Sequence, residues 1–251
     1  MTEPMEAEFD TVASWTADIA VELGAEYYLA AGCRGSGSPA ALAWLGDALA
    51  VSAGDRVLDV GAGLGGPAAY LAHHSGVRPL LVEPEEGACR AAVRLFDLPV
   101  VRADATALPL PSSSFDAAWC LGVLCTTDEQ PKLLAQLRRV LRPSGRLGLL
   151  VFTATESFAG EQPEGNTFIS SAQLNAMIAE ADLAVRASAP NVRFGPDAEW
   201  QRQVETIDAE LDRRHGGQIP WQIAQRQSAL FGQLLASEQI EGTLLVLQPL
   251  T

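Results

Sequence analysis

The feature that most constrains the fold is a short apolar strand that ends in a cluster of glycines, VLDVGAGLGG at residues 57–66. A run of this kind, stopped by glycines, is typical of a buried parallel strand. After it, strand-sized apolar runs alternate with helical patterns as far as RLGLLVF at residues 146–152. Alternation of strands and helices builds a parallel sheet with right-handed crossovers. The sequence therefore predicts an α/β fold.

The second half of the chain has a different order of elements. The patterns indicate a helix at 171–182, a strand at 183–189, helices at about 197–214 and 221–238, and a last strand at 241–249. A late strand that is reached through helices predicts an antiparallel edge strand with a helical cap inserted before it. Because no repeat, low-complexity segment or linker divides the sequence, we predict one domain.

Further helices are predicted before the first strand and before the fifth strand in the sequence. Two lie before the glycine-rich turn, at about residues 9–23 and 39–50. Another is predicted at 129–142, with one apolar face and arginines on the other. Pro143 and Gly145 are expected to end it before the fifth strand begins.

The charge balance argues against a nucleic-acid partner. The 251 residues carry a formal net charge of −14, and Lys132 is the only lysine. A protein that binds nucleic acid needs a stripe of Lys and Arg that displaces counterions from phosphates. No apolar run approaches the roughly 20 residues of a membrane span, and the acidic start MTEPMEAEFD is unlike a signal peptide. We expect a cytoplasmic protein without nucleic-acid or membrane partners.

The cysteines and histidines do not predict a metal site. The four cysteines form no C-x-x-C pair. His73 and His74 are adjacent on a predicted helix, so they cannot face one ion as ligands at positions i and i+4 do. We expect no metal.

Two ligand fingerprints overlap in the glycine-rich turn. Gly61, Gly63 and Gly66 satisfy G-x-G-x-x-G, the pattern of a dinucleotide site. The pattern of a nucleoside-methionine site, D-x-G-x-G-x-G, is satisfied by Asp59, Gly61, Gly63 and Gly65. Asp59 favours the second ligand, since dinucleotide fingerprints usually have an apolar residue there, and its carboxylate can engage the ligand's ammonium group or hold the turn. Gly66 is then incidental, a small residue in the first turn of the next helix.

Acidic residues follow the next two strands. Glu83 ends the second strand, about 20 residues after the first glycine of the turn, and suits the ribose hydroxyls of either ligand. Asp104 follows the third strand, where an acid can accept a hydrogen bond from an adenine amine. Both positions lie at the carboxyl ends of the strands, where a doubly wound sheet binds its ligands. The alternatives are that Asp104 caps a turn and that Glu83 is a solvated loop acid.

From about residue 52 to 152 the chain resembles the class I S-adenosylmethionine-dependent methyltransferases, in particular the branch with ubiquinone/menaquinone-type and natural-product enzymes. VLDVGAGLGG matches the family's first motif, and LLVEP contains its ribose-binding acid. RADATALPLPSSSFD matches the segment that ends at the adenine pocket, AAWCLGVLCTTD the fourth strand, and LLAQLRRVLRPSGRLGLLVF the helix, turn and strand after it. The chain departs from the pattern at Cys125 and Thr126, where many relatives have a histidine pair.

The resemblance implies a Rossmann-like, doubly wound sheet of seven strands, mostly parallel with an antiparallel edge strand, and a helical cap. It implies one class I methyltransferase domain over residues 1–251. Residues 1–50 are its N-terminal helical lid, 51–153 the cofactor-binding core, and 154–251 the C-terminal half with the cap at about 194–238. S-adenosylmethionine is the implied cofactor and a small organic molecule the implied methyl acceptor. The chain is expected to be a monomer or a homodimer.

The resemblance also implies a set of site residues. Those predicted to bind the cofactor are Arg34, Asp59, Gly61, Ala62, Gly63, Gly65, Glu83, Pro84, Asp104, Ala105 and Leu121. Arg34 lies in a glycine-rich loop ahead of the core and is expected to pair with the methionyl carboxylate; the alternative is a surface arginine. Those predicted to line the acceptor pocket are Tyr27, Val123, Cys125, Phe194 and Trp200.

The catalytic residue is left open. Transfer from a sulfonium needs alignment and exclusion of water, and a general base only where the acceptor must lose a proton. Glu199, Asp208 and His215 of the cap are candidate bases, each with the alternative of a solvated helix or loop residue. Two other functions stay open: a nicotinamide oxidoreductase, and a methyltransferase-like protein that binds the cofactor without methyl transfer.

Overall fold

One seven-stranded sheet forms the centre of the molecule. The computed structural model describes residues 3–155, 158 and 161–250. The strands are β1 (Arg56–Val60), β2 (Arg78–Glu83), β3 (Val100–Arg102), β4 (Phe115–Leu121), β5 (Leu141–Ala154), β6 (Leu183–Pro190) and β7 (Ile240–Pro249). Their order across the sheet is β3-β2-β1-β4-β5-β7-β6.

The pairing of the strands confirms the predicted fold class. β1 to β5 pair in parallel, and β7 pairs antiparallel with both β5 and β6. The late strand β7 is thus the antiparallel one, and it lies between β5 and the edge strand β6. The chain reverses its direction across the sheet between β1 and β4, and a ligand crevice is expected beyond the carboxyl ends of the strands at such a point.

Helices cover both faces of the sheet. They are α1 (Glu3–Leu23), α2 (Tyr28–Gly32), α3 (Pro39–Leu49), α4 (Gly66–Ser75), α5 (Glu86–Phe96), α6 (Gln130–Val140), α7 (Ser171–Glu180), α8 (Ala198–His215) and α9 (Ile219–Ala236). Side-chain caps begin several of them: Ser38 accepts a hydrogen bond from the Ala41 N–H at the start of α3, and Ser170 forms a capping box with Gln173 at the start of α7. Over the described ranges, no helix combines the length and apolarity needed to cross a membrane.

Two local predictions were wrong. The helix expected at 129–142 ends at Val140, and β5 begins at Leu141 and runs through Pro143. Proline is tolerated there because the pairing of β5 with β4 is irregular between Phe115 and Ala117. The glycine-rich segment before α3 was expected to be a loop throughout, but its first residues belong to α2, which ends at Gly32.

The first helix and the last two helices form a single cover, which we call the roof (α1, α8 and α9). Trp15 of α1 stacks on His215 of α8 with 3.9 Å between ring centroids. Arg214 of α8 pairs with Glu22 of α1 at 2.8 Å. Trp221 of α9 is buried in the same hydrophobic cluster as the apolar residues of α1. The predicted lid and cap are therefore in direct contact.

Candidate functional site

A cavity of about 500 Å³ lies between the roof and the carboxyl ends of the strands. Ten of the predicted residues line it: Arg34, Gly61, Ala62, Gly63, Glu83, Pro84, Asp104, Ala105, Leu121 and Val123. They come from the ends of β1, β2, β3 and β4 and from the loop after α2. The topology thus brings together residues that are far apart in the sequence.

The glycine-rich turn takes a conformation that favours glycine. Gly61 has φ +69° and Gly63 has φ +53°, a region that side-chain-bearing residues rarely adopt. A Cβ atom on Gly61 would clash with Val123, with Cγ1 of that residue at 3.0 Å. Around Gly63, a Cβ atom would find Phe9 Cζ of α1 at 3.8 Å. Bare backbone therefore allows both the end of β4 and a ligand to approach the turn closely.

Glu83 is held in place by the turn. Its side chain is 4% exposed; Oε2 accepts a hydrogen bond from the Gly63 N–H at 2.8 Å and Oε1 one from the Glu85 N–H at 3.2 Å. Burial raises the pKa of Glu83 to about 7, against the lowering effect of these two bonds. A carboxylate oxygen accepts more than one hydrogen bond, so both oxygens retain capacity for a ligand. Glu83 is not the solvated loop acid of the alternative prediction.

Asp104 caps a turn and still faces the cavity. Its Oδ1 accepts hydrogen bonds from the Thr106 N–H at 2.6 Å and the Thr106 hydroxyl at 2.7 Å. The hydroxyl bond is the main reason that the pKa of Asp104 is lowered. Among the residues that the structure describes, none donates a hydrogen bond to Oδ2. Asp104 therefore combines the capping role with an acceptor atom that is available to a ligand.

Asp59 and Gly65 lie outside the lining of the cavity, so their predicted contact with a ligand needs correction. Asp59 is 2% exposed and does not line the cavity. Its neighbours are the Trp119 indole and the Ala68 backbone, and within the described part of the chain its Oδ2 has no hydrogen-bond partner. Gly65, at φ +84°, is the N-cap residue of α4, and a Cβ atom there would lie 2.9 Å from Leu81. Asp59 is therefore placed where β1 packs against β4 and α4.

The burial of Asp59 predicts a pH-dependent stability. Burial raises its pKa from the usual 3.8 to about 7, so the folded chain keeps a proton that the unfolded chain releases. The free energy of unfolding is therefore expected to fall as the pH rises from about 4 to about 7. Because asparagine cannot ionise, Asp59→Asn should be more stable than the native chain at pH 8, by on the order of 2–4 kcal/mol.

Urea unfolding of both chains between pH 4 and pH 8 measures this effect. Asp47→Asn, at an exposed position of α3, is the matched control and is expected to leave the pH dependence unchanged. An advantage for Asp59→Asn that is equal at pH 4 and pH 8 would contradict the prediction.

Gly66 lies in the first turn of α4 and does not line the cavity, as the sequence suggested, but close packing requires a glycine there. A Cβ atom there would lie 2.7 Å from the Gly32 carbonyl oxygen and 2.6 Å from Cys33 Sγ. The backbone at the end of α2 crosses directly over the first turn of α4. Gly66 therefore serves close packing of the N-terminal segment on the core.

Arg34 lines the cavity but already has a partner. Its Nη1 lies 2.5 Å from Oδ1 of Asp208 on α8, and its guanidinium lies 5.8 Å from the centre of the Trp221 ring. These contacts fix Arg34 between the loop after α2 and the roof. They also make Asp208, a candidate base, the ion-pair partner of Arg34.

The other predicted acceptor-side residues do not line this cavity. Cys125 is buried, with Sγ 3.6 Å from the Gly122 carbonyl. Phe194 packs against Trp44, and Trp200 and Tyr27 pack in apolar clusters. The three aromatic residues are partly buried in these contacts. Among the candidate bases, Glu199 pairs with Arg202 on the surface and His215 stacks on Trp15.

Sequence reasoning missed the part of the cavity that α1 contributes. The residues of α1 that line it are Glu8, Phe9, Val12, Ala13 and Thr16. They are spaced at three and four positions, so they lie on one helical face. That spacing is present in the sequence, but it does not predict which part of the protein this face of α1 packs against.

Residues 58–149 match the family model for a methyltransferase domain. The methyltransferase GfsG of Streptomyces halstedii is 38% identical over 112 residues, which cover 40% of this chain and 39% of that protein. The 27-O-demethylrifamycin SV methyltransferase of Amycolatopsis mediterranei is 38% identical over 119 residues, covering 45% of this chain and 44% of that protein. The chain thus spans about two fifths of the length of these curated relatives.

Solved structures share the fold over most of the chain. A methyltransferase from Thiobacillus denitrificans, in complex with S-adenosylhomocysteine, superimposes with a TM-score of 0.63 at 17% identity, covering 85% of this chain and 92% of that one. The cyclase SpnF gives a TM-score of 0.67 at 20% identity, covering 86% and 84%. At such identities the similarity concerns the fold alone.

Proposed function

We propose that this chain, which belongs to the class I S-adenosylmethionine-dependent methyltransferases, transfers the methyl group of S-adenosylmethionine to a small organic acceptor in the cavity under the roof. The observation that carries the proposal is the arrangement of two acids around a bare glycine turn. Glu83 and Asp104 face the same cavity as the turn, and each keeps an acceptor oxygen available. Ribose hydroxyls and an adenine amine are donors that fit these oxygens.

The charges of the cavity favour this cofactor over a dinucleotide. Among the described residues that line it, the acids are Glu8, Glu83, Glu85, Asp104 and Glu164, and the one cation is Arg34. Arg34 is already paired with Asp208. Phosphates would meet acids and no unpaired cation there, whereas S-adenosylmethionine carries a net positive charge. The electrostatics thus support a cationic ligand.

The residues of the chain have positioning roles in the proposed reaction. S-adenosylmethionine supplies an electrophilic methyl carbon and a sulfonium leaving group. Glu83 accepts hydrogen bonds from the ribose hydroxyls, and Asp104 Oδ2 accepts one from the adenine amine. Leu121, at the end of β4, packs against the ligand, and the roof excludes water from the cavity.

In the proposed arrangement residues 1–251 form one domain, in which the lid (1–50) and the cap (194–238) close the cavity over the core (51–153). By analogy with the 27-O-demethylrifamycin SV methyltransferase, the acceptor is proposed to be a specialised metabolite of medium size. A bacterial, cytoplasmic setting and a monomeric or homodimeric state complete the proposal.

Calorimetry and product detection test the function. We expect the full chain to bind S-adenosylmethionine and S-adenosylhomocysteine in the micromolar range and NAD far more weakly. We expect S-adenosylhomocysteine to form when the chain is incubated with the cofactor and a panel of phenols, hydroxylated polyketides and amines. Tighter binding of NAD would overturn the cofactor assignment. Binding without any S-adenosylhomocysteine across the panel would overturn methyl transfer.

A further inference from the structure

Glu8 is a buried acid on the roof side of the cavity. It is 8% exposed and lines the cavity from α1, opposite the ends of the strands. Among the described residues none donates a hydrogen bond to its carboxylate. In this respect Glu8 differs from Glu83 and Asp104, each of which is held by backbone N–H groups. An acid without fixed donors is free to exchange a proton with a ligand.

The surroundings of Glu8 bring its pKa close to neutral pH. Burial raises the pKa of Glu8 to about 7, against the opposing effect of the Arg34 charge. The other charged groups that face the cavity are Glu83 at the end of β2, Glu85 after β2, Asp104 after β3, and Glu164 before α7. Asp208 of α8 neutralises much of the Arg34 charge. A general base works best when its pKa lies close to the working pH.

We propose that Glu8 is the general base on the acceptor side of this cavity and that the acceptor bears a hydroxyl group. The inference rests on the proposed function. Phe9, the neighbour of Glu8, approaches Gly63 of the glycine-rich turn, so α1 borders the part of the cavity that would receive the cofactor. Glu8 lines this cavity from α1, whereas Glu83 and Asp104 line it from the strand ends.

The proposed step balances as a displacement with proton transfer. The acceptor oxygen forms a bond to the methyl carbon, and the bond from that carbon to sulfur breaks with its electron pair remaining on sulfur. The hydroxyl proton passes to the Glu8 carboxylate, which returns it to solvent when the product leaves. A neutral thioether replaces the sulfonium in this step.

The ionisation of Glu8 is expected to depend on whether the bound ligand carries the sulfonium charge. A cation in the cavity favours the ionised form of a neighbouring carboxyl, and a neutral thioether does not. Binding of S-adenosylmethionine is therefore expected to release protons from Glu8. Binding of S-adenosylhomocysteine should release fewer.

Proton release on binding tests the inference without a known acceptor. Calorimetry at pH 7 in two buffers of different ionisation enthalpy gives the protons released by S-adenosylmethionine and by S-adenosylhomocysteine. For the native chain we expect about 0.3–0.5 proton more with S-adenosylmethionine. Glu8→Gln should remove most of that difference and, because glutamine cannot ionise, should weaken the binding of S-adenosylmethionine by about three- to tenfold. The dissociation constant of S-adenosylhomocysteine should change by less than about threefold. Glu26→Gln, at an exposed position shortly after the same helix, is the matched control and should behave as the native chain.

The rate of S-adenosylhomocysteine formation with a panel of phenols tests the catalytic role of Glu8. We expect the native chain to form S-adenosylhomocysteine at a rate that rises with pH through about 7, and Glu8→Gln to be about 100-fold slower without that dependence. A proton difference that persists in Glu8→Gln would overturn the inference. So would equal weakening of both ligands by more than tenfold, which would make Glu8 a ligand of the methionyl ammonium group. Failure of the native chain to bind S-adenosylmethionine would instead overturn the proposed function.

Discussion

Replacing Glu83 with alanine is expected to weaken the binding of S-adenosylmethionine by about 100- to 1000-fold. A hydrogen bond to a charged group contributes about 1.5–3 kcal/mol, and the proposed ribose contact uses both oxygens of Glu83. The substitution also removes the acceptor of the Gly63 N–H, which lies in the turn that receives the ligand. Both losses act on the same end of the cavity. Isothermal titration with S-adenosylmethionine and S-adenosylhomocysteine measures the change, which should be equal for the two.

Glu83→Gln distinguishes the loss of the proposed ribose hydrogen bonds from a change in the shape of the glycine-rich turn. Glutamine retains the size of the side chain and one acceptor oxygen, so we expect a loss of about tenfold. Glu86→Gln, at an exposed acid in the first turn of α5, is the control and should bind as the native chain does. Unchanged binding by Glu83→Ala would remove Glu83 from the proposed ribose site.

The strand-and-turn framework of the site could be predicted from the sequence because it is local. The run VLDVGAGLGG contains a buried strand and the turn that follows it, Glu83 ends the next strand, and Asp104 lies shortly after the third. In a parallel sheet, positions at strand ends meet at one edge whatever the loops between them do. The sequence alone therefore placed these residues on one cavity.

The roof could not be predicted in the same way, since its contacts join distant segments. The face of α1 that carries Glu8 is a periodic pattern that could meet any apolar surface. Arg34 was expected to pair with the methionyl carboxylate of the ligand, but it pairs with Asp208, 174 positions later in the chain. Asp59 matched a ligand fingerprint, although burial directs its carboxylate into the core.

Gly66 is a second residue whose role depends on a distant segment. It fits the G-x-G-x-x-G pattern of a dinucleotide site, but a glycine is required there because the end of α2 packs against it. Its conformation is helical, in the first turn of α4, so an alanine there would not strain the backbone. The obstacle is the backbone of Gly32 and Sγ of Cys33, within 2.7 Å of the added methyl group. Backbone cannot move aside as the end of a flexible side chain does. The segment that carries Arg34 must therefore shift.

Gly66→Ala is accordingly expected to lower the free energy of unfolding by about 3 kcal/mol, the upper part of the usual range for overpacking. For a chain of this size that corresponds to a fall in Tm of about 6–12 °C. Gly232→Ala is the matched control: it lies within α9 with no atom near the added Cβ, and alanine should stabilise that helix by up to about 1 kcal/mol. Since the Gly66 clash displaces the loop after α2, S-adenosylmethionine should also bind at least tenfold more weakly. Thermal unfolding and titration of both variants measure these effects, and a Gly66→Ala chain as stable as Gly232→Ala would show that the crossing of α2 over α4 is loose.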